Sequence, residues 1–169
     1  MIKRTSGIHH ITAIVGHPQE NVDFYAGVLG LRLIKQTINF DDPGTYHLYF
    51  GNQGGQPGTI ITFFPWAGAS RGIIGDGQVG VTSFVVPKGA IQFWEHRLKN
   101  FNVPIIKLER FGEQYVQFND PHGLKLEIVE RSYGEPNTWT FGGVTPDVAI
   151  KGFGEQYCSQ VNHTKQPNF

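Results

Sequence analysis

The sequence is short of cysteine, of unbalanced charge and of long apolar runs. Cys158 is its only cysteine, so no internal disulfide forms within one chain and no oxidising compartment is required. Lysine plus arginine and aspartate plus glutamate both number 14, giving a formal net charge of zero. Without a basic run, nucleic acid is not an expected partner. No signal peptide or membrane span is visible, so we expect a cytoplasmic protein with no membrane partner.

Aromatic residues, by contrast, are abundant, and some of them recur. The 13 Phe, 6 Tyr and 3 Trp predict aromatic side chains that line a cavity as well as fill a core. One motif returns 69 positions later at all four of its places: Val22, Phe24, Tyr25 and Leu29 are matched by Ile91, Phe93, Trp94 and Leu98. An internal repeat of this kind indicates one supersecondary unit used twice.

Hydrophobic periodicity divides the chain into two such units. Each is predicted as strand, helix and three further strands, with module one at 5–66 and module two at 77–131. The Gly- and Ala-rich loop 67–77 separates them. Residues 132–169 are rich in Gly, Pro, Asn and Thr, and 153–169 show no strand or helix pattern. We therefore predict an α+β fold of two tandem βαβββ modules followed by an irregular, extended C-terminal arm and tail.

Two modules of this order, with His on the first strand and a D-P-x-G turn before a strand carrying Glu, resemble the vicinal oxygen chelate superfamily. Its members include glyoxalases, extradiol ring-cleaving dioxygenases and bleomycin- or fosfomycin-resistance proteins. The matching segments are 7–12, 24–31 and 118–127. Segments 39–49 and 63–66 are similar to the N-terminal half of ring-cleaving dioxygenases associated with hydroquinone-type substrates. The resemblance implies one vicinal oxygen chelate domain at 5–131.

Members of that subfamily are about twice as long and contain four modules, as the resemblance implies. Two interpretations of the present chain stay open. It is either a natural half-length member or a truncated one, in which case 132–169 holds the start of a second domain of the same kind.

The resemblance also implies a divalent metal that holds two substrate oxygens. In the dioxygenases this is Fe(II) in a facial triad of two His and one carboxylate, and Mn, Zn or Ni are alternatives. The family's ligand positions correspond to His10, Thr62, Val81 and Glu127, of which we predict His10 and Glu127 as metal ligands. The alternatives are a hydrogen-bonded histidine inside a barrel for His10, and pairing with Lys125 or an arginine for Glu127.

Three further side chains are candidates near such a site. Tyr115 is a candidate proton donor. His47 and Tyr49 share a strand face, from which they either reach a substrate ring or only pack. The expected partners are a small aromatic substrate, O₂ and a second copy of the chain, because modules that normally pack against two more would leave apolar sheet surface exposed.

The expected function is metal-dependent, extradiol-type cleavage of a hydroquinone- or catechol-like ring. One alternative is a non-catalytic binding or resistance protein of the same fold that sequesters a small aromatic compound. The other is a glyoxalase-type lyase or isomerase.

Overall fold

The computed structural model describes residues 7–158, except 69, 71, 73, 74 and 76. Within this part of the chain, two modules follow one another in the predicted order, each with one sheet and one helical segment. The predicted α+β class is therefore confirmed. None of the described helices is long and apolar enough to cross a membrane.

Module one contains the first four strands, which form sheet A in the order β1-β4-β3-β2. β1 and β4 are parallel, and the other neighbours are antiparallel. Helix α1 follows β1 and continues directly into a π-helical segment. The elements are β1 His10–Val15, α1 Pro18–Val22, the π-helical segment Asp23–Val28, β2 Arg32–Ile38, β3 Tyr46–Gly51 and β4 Ile60–Pro65.

Module two repeats this arrangement in sheet B, whose order is β6-β7-β8-β5-β9. β5 and β8 are parallel, as β1 and β4 are. The elements are β5 Val79–Val86, α2 Ile91–Asn100, β6 Ile106–Arg110, β7 Glu113–Asn119, β8 Lys125–Glu130 and β9 Gly152–Cys158.

Strand β9 corrects the prediction that the arm is irregular beyond Phe153. It pairs antiparallel with β5, with Gly152 opposite Val85 and Cys158 opposite Val79. A segment with two glycines has little strand propensity of its own, so the pairing is imposed by the open edge of β5. The rest of the predicted tail, 159–169, lies outside the described residues.

The helical segment of module one also differs from the regular helix that the sequence predicts. The Leu29 N–H donates to the carbonyl of Phe24, five positions earlier, at 2.9 Å. This i→i−5 bond makes the turn a π turn rather than an α turn. Gly30 then ends the segment at a φ of +68°, as predicted for a left-handed cap.

The two modules pack against each other through the faces of their sheets that carry the helices. One hydrophobic cluster contains Phe63 of sheet A, Phe84 of sheet B and the fully buried repeat partners Tyr25 and Trp94. The Tyr25 hydroxyl donates to Asp120 Oδ2 at 3.1 Å across the seam. Burial raises the pKa of Tyr25, and the nearby Asp120 raises it further. Each sheet therefore has an inner face in the shared core and an outer face turned away from it.

Arg97 of α2 connects module two to module one and to the C-terminal arm through three hydrogen bonds to carbonyl oxygens. Its Nε donates to Val28 O at 2.6 Å, Nη2 to Gly27 O and Nη1 to Gly142 O, both at 2.8 Å. The side chain is 9% exposed, and burial lowers the pKa of the guanidinium. Two of these carbonyls, those of Gly27 and Val28, lie at the end of the helical segment of module one, where a cation complements the helix dipole.

We predict that Arg97→Leu lowers the free energy of unfolding by about 3 kcal/mol, because three backbone carbonyls lose the donors of a largely buried guanidinium. Urea denaturation followed by tryptophan fluorescence measures the loss. Lys99→Ala, an exposed change on the same helix, is the control. A loss for Arg97→Leu no larger than that of the control would contradict this role.

Candidate functional site

The outer face of sheet A is open and carries the predicted ligand His10. Along β1, His10, Thr12 and Ile14 are exposed on this face, while Ile11 and Val15 are buried in the core. His10 Nδ1 lies 3.1 Å from His9 Nδ1 and shares a hydrogen bond with it. That contact leaves His10 Nε2 as the ring atom available to a ligand.

Beside His10, aromatic rings from β3 and β4 build a wall on the same face. The His47 ring lies between Tyr49 and Phe64, with centroids 4.1 and 4.0 Å away. The Tyr49 hydroxyl is 2.9 Å from His47 Nδ1, and the Lys35 ammonium lies 5.4 Å from the centre of the Tyr49 ring. The wall offers flat apolar surface with a cation at its edge.

His47 is the polar centre of this wall. Burial lowers the pKa of His47, and electrostatic interaction with Lys35 and His10 lowers it further, which favours the neutral imidazole. Its Nε2 atom is buried and has no hydrogen-bond partner among the described residues. A buried polar atom without a partner costs free energy, so a hydrogen bond to this nitrogen would stabilise the site.

In each module, a side-chain hydrogen bond that involves a hydroxyl group joins the first strand to the last strand. The two hydrogen bonds occupy equivalent positions in the repeat. In sheet A, Thr12 and Thr62 are register partners with their hydroxyl oxygens 2.9 Å apart. In sheet B, Ser83 and Glu127 are register partners, and Ser83 Oγ donates to Glu127 Oε2 at 3.0 Å. The position of Thr62 in module one is therefore that of Glu127 in module two.

Glu127 is fully buried, and both of its carboxylate oxygens accept hydrogen bonds. Oε1 accepts from Arg110 Nη1 at 3.1 Å and from Gln117 Nε2 at 2.6 Å. Oε2 accepts from Arg110 Nη2 at 2.5 Å and from Ser83. These four bonds match the four lone-pair sites of a carboxylate. The geometry is that of the arginine-paired alternative, and the metal-ligand role of Glu127 stays a prediction that this geometry does not support.

Tyr115 belongs to a second part of the same network. Its hydroxyl donates to Glu113 Oε2 at 2.9 Å and accepts from Arg131 Nη2 at 3.1 Å, and its ring lies 4.1 Å from the Arg110 guanidinium. Arg131 also holds Glu113 with bonds of 2.8 and 2.6 Å. The Arg131 bonds lower the pKa of Glu113. The proton-donor role of Tyr115 also stays a prediction, because its hydroxyl already serves this ion pair.

The two predicted ligands lie on different sheets. His10 is on sheet A and Glu127 is on sheet B, and the metal-ligand role of each stays a prediction. Across the described residues, no group of three or more His, Cys, Asp or Glu side chains is placed to hold a metal ion. The residues described in this chain therefore do not fit a complete facial triad.

Sequence reasoning gave an arginine as one possible partner of Glu127 without identifying Arg110, and it missed Gln117. A weak signal was present, because strand alternation places all three on the outer face of sheet B. Lys35 was missed because a bulge between Leu33 and Lys35 shifts the alternation of β2.

Comparison with known proteins agrees with this fold. A family model described as the Glyoxalase/Bleomycin resistance protein/Dioxygenase superfamily matches residues 7–128. The chain belongs to this superfamily. It is 82% identical over 154 residues to the Bacillus subtilis (strain 168) protein named "Putative ring-cleaving dioxygenase MhqO", covering 91% of this chain and 49% of the relative.

Two further relatives support the same assignment. The chlorohydroquinone/hydroquinone 1,2-dioxygenase of Sphingobium indicum is 38% identical over 156 residues, which cover 89% of this chain and 49% of that protein. The crystal structure of a "putative dioxygenase" from Bacillus subtilis superposes with a TM-score of 0.90 at 81% identity, covering 92% of this chain and 50% of that one. The chain spans about half the length of the curated relatives it matches, and it matches their N-terminal half.

The Arg131–Glu113 pair predicts a dependence of stability on pH. Because the folded pKa of Glu113 lies below its usual 4.5, the pair stabilises the fold above that value and loses its contribution as the pH falls through the folded pKa. Glu113→Gln removes this titration, so its urea midpoint should fall less than that of the wild type between about pH 5 and pH 3. The exposed Glu109→Gln is the control, and parallel curves for wild type and Glu113→Gln would refute the prediction.

Proposed function

We propose that this chain supplies the N-terminal half of the catalytic site of a metal-dependent ring-cleaving dioxygenase acting on hydroquinone- or catechol-like aromatics with O₂. The observation that carries the proposal is the open outer face of sheet A, where an exposed imidazole stands beside an aromatic wall with an unpartnered polar atom. The names of the 82% and 38% identical relatives support the reaction class.

In this proposal His10 is one ligand of the metal, Fe(II) in the first instance. The remaining ligands come from outside the described residues, because these offer no complete set. When bound, the metal would bring the aromatic diol and O₂ to one centre.

The chain's own contribution is to bind and orient the ring. The planar surface of Phe64 and Tyr49 accepts an aromatic ring through stacking or edge contacts. His47 Nε2 forms a hydrogen bond to a ring hydroxyl, and Lys35 favours the ionised form of that hydroxyl through its charge. Because His47 is held by Tyr49 at 2.9 Å, its ring is oriented before the substrate arrives.

A second candidate function is non-catalytic binding of an aromatic compound on the same face. The incomplete ligand set of the described residues favours it. The two functions differ in their requirement for metal, since binding by the aromatic wall needs none.

We predict that the chain alone retains little iron after anaerobic Fe(II) loading and desalting, and shows no hydroquinone-dependent O₂ uptake. Co-expression with the C-terminal half of the 82% identical Bacillus subtilis protein should give a complex with stoichiometric iron and O₂ uptake. His10→Ala in that complex should abolish both. His96→Ala, an exposed histidine on α2, is the matched control and should change neither.

Two results would overturn this proposal. One is an active complex in which His10→Ala leaves iron and O₂ uptake intact. The other is a folded complex that binds hydroquinone but retains no iron and consumes no O₂, which would establish the binding function instead.

In the same complex, we predict that His47→Phe raises the KM for hydroquinone about tenfold, because one hydrogen bond to the substrate is lost. Phe keeps the ring between Tyr49 and Phe64, so iron content should not change. Tyr46→Phe removes a hydroxyl from the opposite face of the same strand and should leave the KM unaltered. An unchanged KM in His47→Phe would assign His47 to packing alone.

A further inference from the structure

A cavity of about 650 Å³ opens between the helical segment of module one and the end of α2. Its apolar walls include Phe24 and Val28 from module one and Phe101 and Val103 from module two. Phe24 and Val28 are buried, whereas Phe101 is 48% exposed. The volume is in the range of small-molecule sites, and aromatic rings with aliphatic neighbours suit an aromatic ligand.

The charged residues that line this cavity are all acidic. Glu20 and Asp23 are exposed, and Asp120 is buried, with 4% of its surface exposed. No lysine, arginine or histidine is among the described residues of the lining. The C-terminal end of α2, at Phe101 and Asn102, adds the negative end of a helix dipole. The cavity therefore favours a cation over an anion.

Two basic side chains beside the cavity have partners of their own. Arg97, whose guanidinium lies 5.1 Å from the centre of the Phe101 ring, donates to three backbone carbonyls. His122 accepts from the Gly16 N–H through Nδ1 at 3.3 Å, and its Nε2 is 4.0 Å from Glu20 Oε2. Neither side chain belongs to the lining, so the carboxylates are the charged groups that a ligand meets there.

Asp120, in the D-P-x-G turn, keeps one acceptor site open. Its Oδ1 accepts from the N–H groups of His122 at 2.9 Å and Leu124 at 2.7 Å, and its Oδ2 accepts from Tyr25 at 3.1 Å. Because a carboxylate has four lone-pair sites, Oδ2 retains one. No lysine or arginine in the described part of the chain forms an ion pair with Asp120.

The burial of this carboxylate is unfavourable for its charged form. Burial raises the pKa of Asp120, and the hydrogen bonds from Leu124 and Tyr25 act in the opposite direction. A ligand cation at the open site of Oδ2 would supply the counter-charge that the protein does not.

We propose that this cavity binds a small molecule in which an aromatic ring is joined to one primary ammonium group. The ammonium donates to Asp120 Oδ2, and the exposed Glu20 and Asp23 add attraction from the side of the solvent. The ring packs against Phe24 and Val103. None of the residues assigned above to the aromatic diol lines this cavity, so the site is independent of the proposed reaction.

The test compares three ligands of similar shape and different charge on the whole chain. Calorimetry gives the Kd of 2-phenylethylammonium, 2-phenylethanol and phenylacetate, and methyl NMR spectra locate the binding. The ammonium should bind at least about tenfold more tightly than the alcohol, and phenylacetate should not bind. The methyl signals of Val28 and Val103 should shift, whereas that of Ile14, on the outer face of sheet A, should not.

Four variants connect binding to the named groups. The double variant Glu20→Gln/Asp23→Asn should weaken ammonium binding about fivefold and leave alcohol binding unchanged. Asp120→Asn should weaken ammonium binding at least about tenfold, and Val103→Trp should abolish binding of both by filling the cavity. Glu135→Gln, an exposed carboxylate of the arm, is the control and should change nothing. Urea denaturation checks that each variant is folded.

Several results would overturn the proposal. They are no binding of the ammonium at millimolar concentration, equal affinity for ammonium and alcohol, tighter binding of phenylacetate, or methyl shifts confined to residues outside the cavity. Unchanged ammonium affinity in the double variant would overturn it too, and this result decides the question if Asp120→Asn fails to fold. None of these readouts uses iron or O₂ uptake, so the proposed reaction can fail while this site stands.

Discussion

The packing of the two helical faces against each other is the constraint on which the rest of this structure depends. Tyr25 and Trp94, the repeat partners, lie in one core, and Arg97 joins α2 to the end of the helical segment of module one. Once the helical faces are buried together, the outer faces of the two sheets point away from the core. Polar side chains on an outer face must therefore find hydrogen-bond partners on that face or in a molecule bound to it.

The two outer faces meet that requirement in opposite ways. The outer face of sheet B provides hydrogen-bond partners for its own carboxylates. All four acceptor sites of Glu127 are filled, and Glu113 is bonded to Arg131. Sheet A leaves His47 Nε2 buried and without a partner among the described residues, next to an exposed His10. The two modules thus share one arrangement of strands but differ in whether the polar groups of the outer face find partners within their own sheet.

The sequence predicted the parts of this arrangement that depend on local pattern. The repeat located both modules, and alternation along β1 placed His10 and Thr12 together on the outer face. The sequence pattern did not predict β9, because the pairing of this strand depends on the distant edge of β5. It also did not predict the bonds between Arg110 and Glu127, which are 17 positions apart on strands separated by β7. The π turn before Gly30 was also missed, because the apolar spacing of this segment predicts a regular helix.

The distribution of the ligand-type residues follows from the same constraint. Module one has the histidine with Thr62 in the carboxylate position, and module two has Glu127 with Val81 in the histidine position. A metal site requires ligands to converge in space, and convergence in a duplicated fold depends on which sheets are paired. His10 lies on sheet A and Glu127 on sheet B, where Glu127 has all four acceptor sites filled by donors of its own sheet. The proposed centre at His10 therefore needs donors from outside the described residues, because these hold no group of three or more His, Cys, Asp or Glu side chains placed for a metal ion.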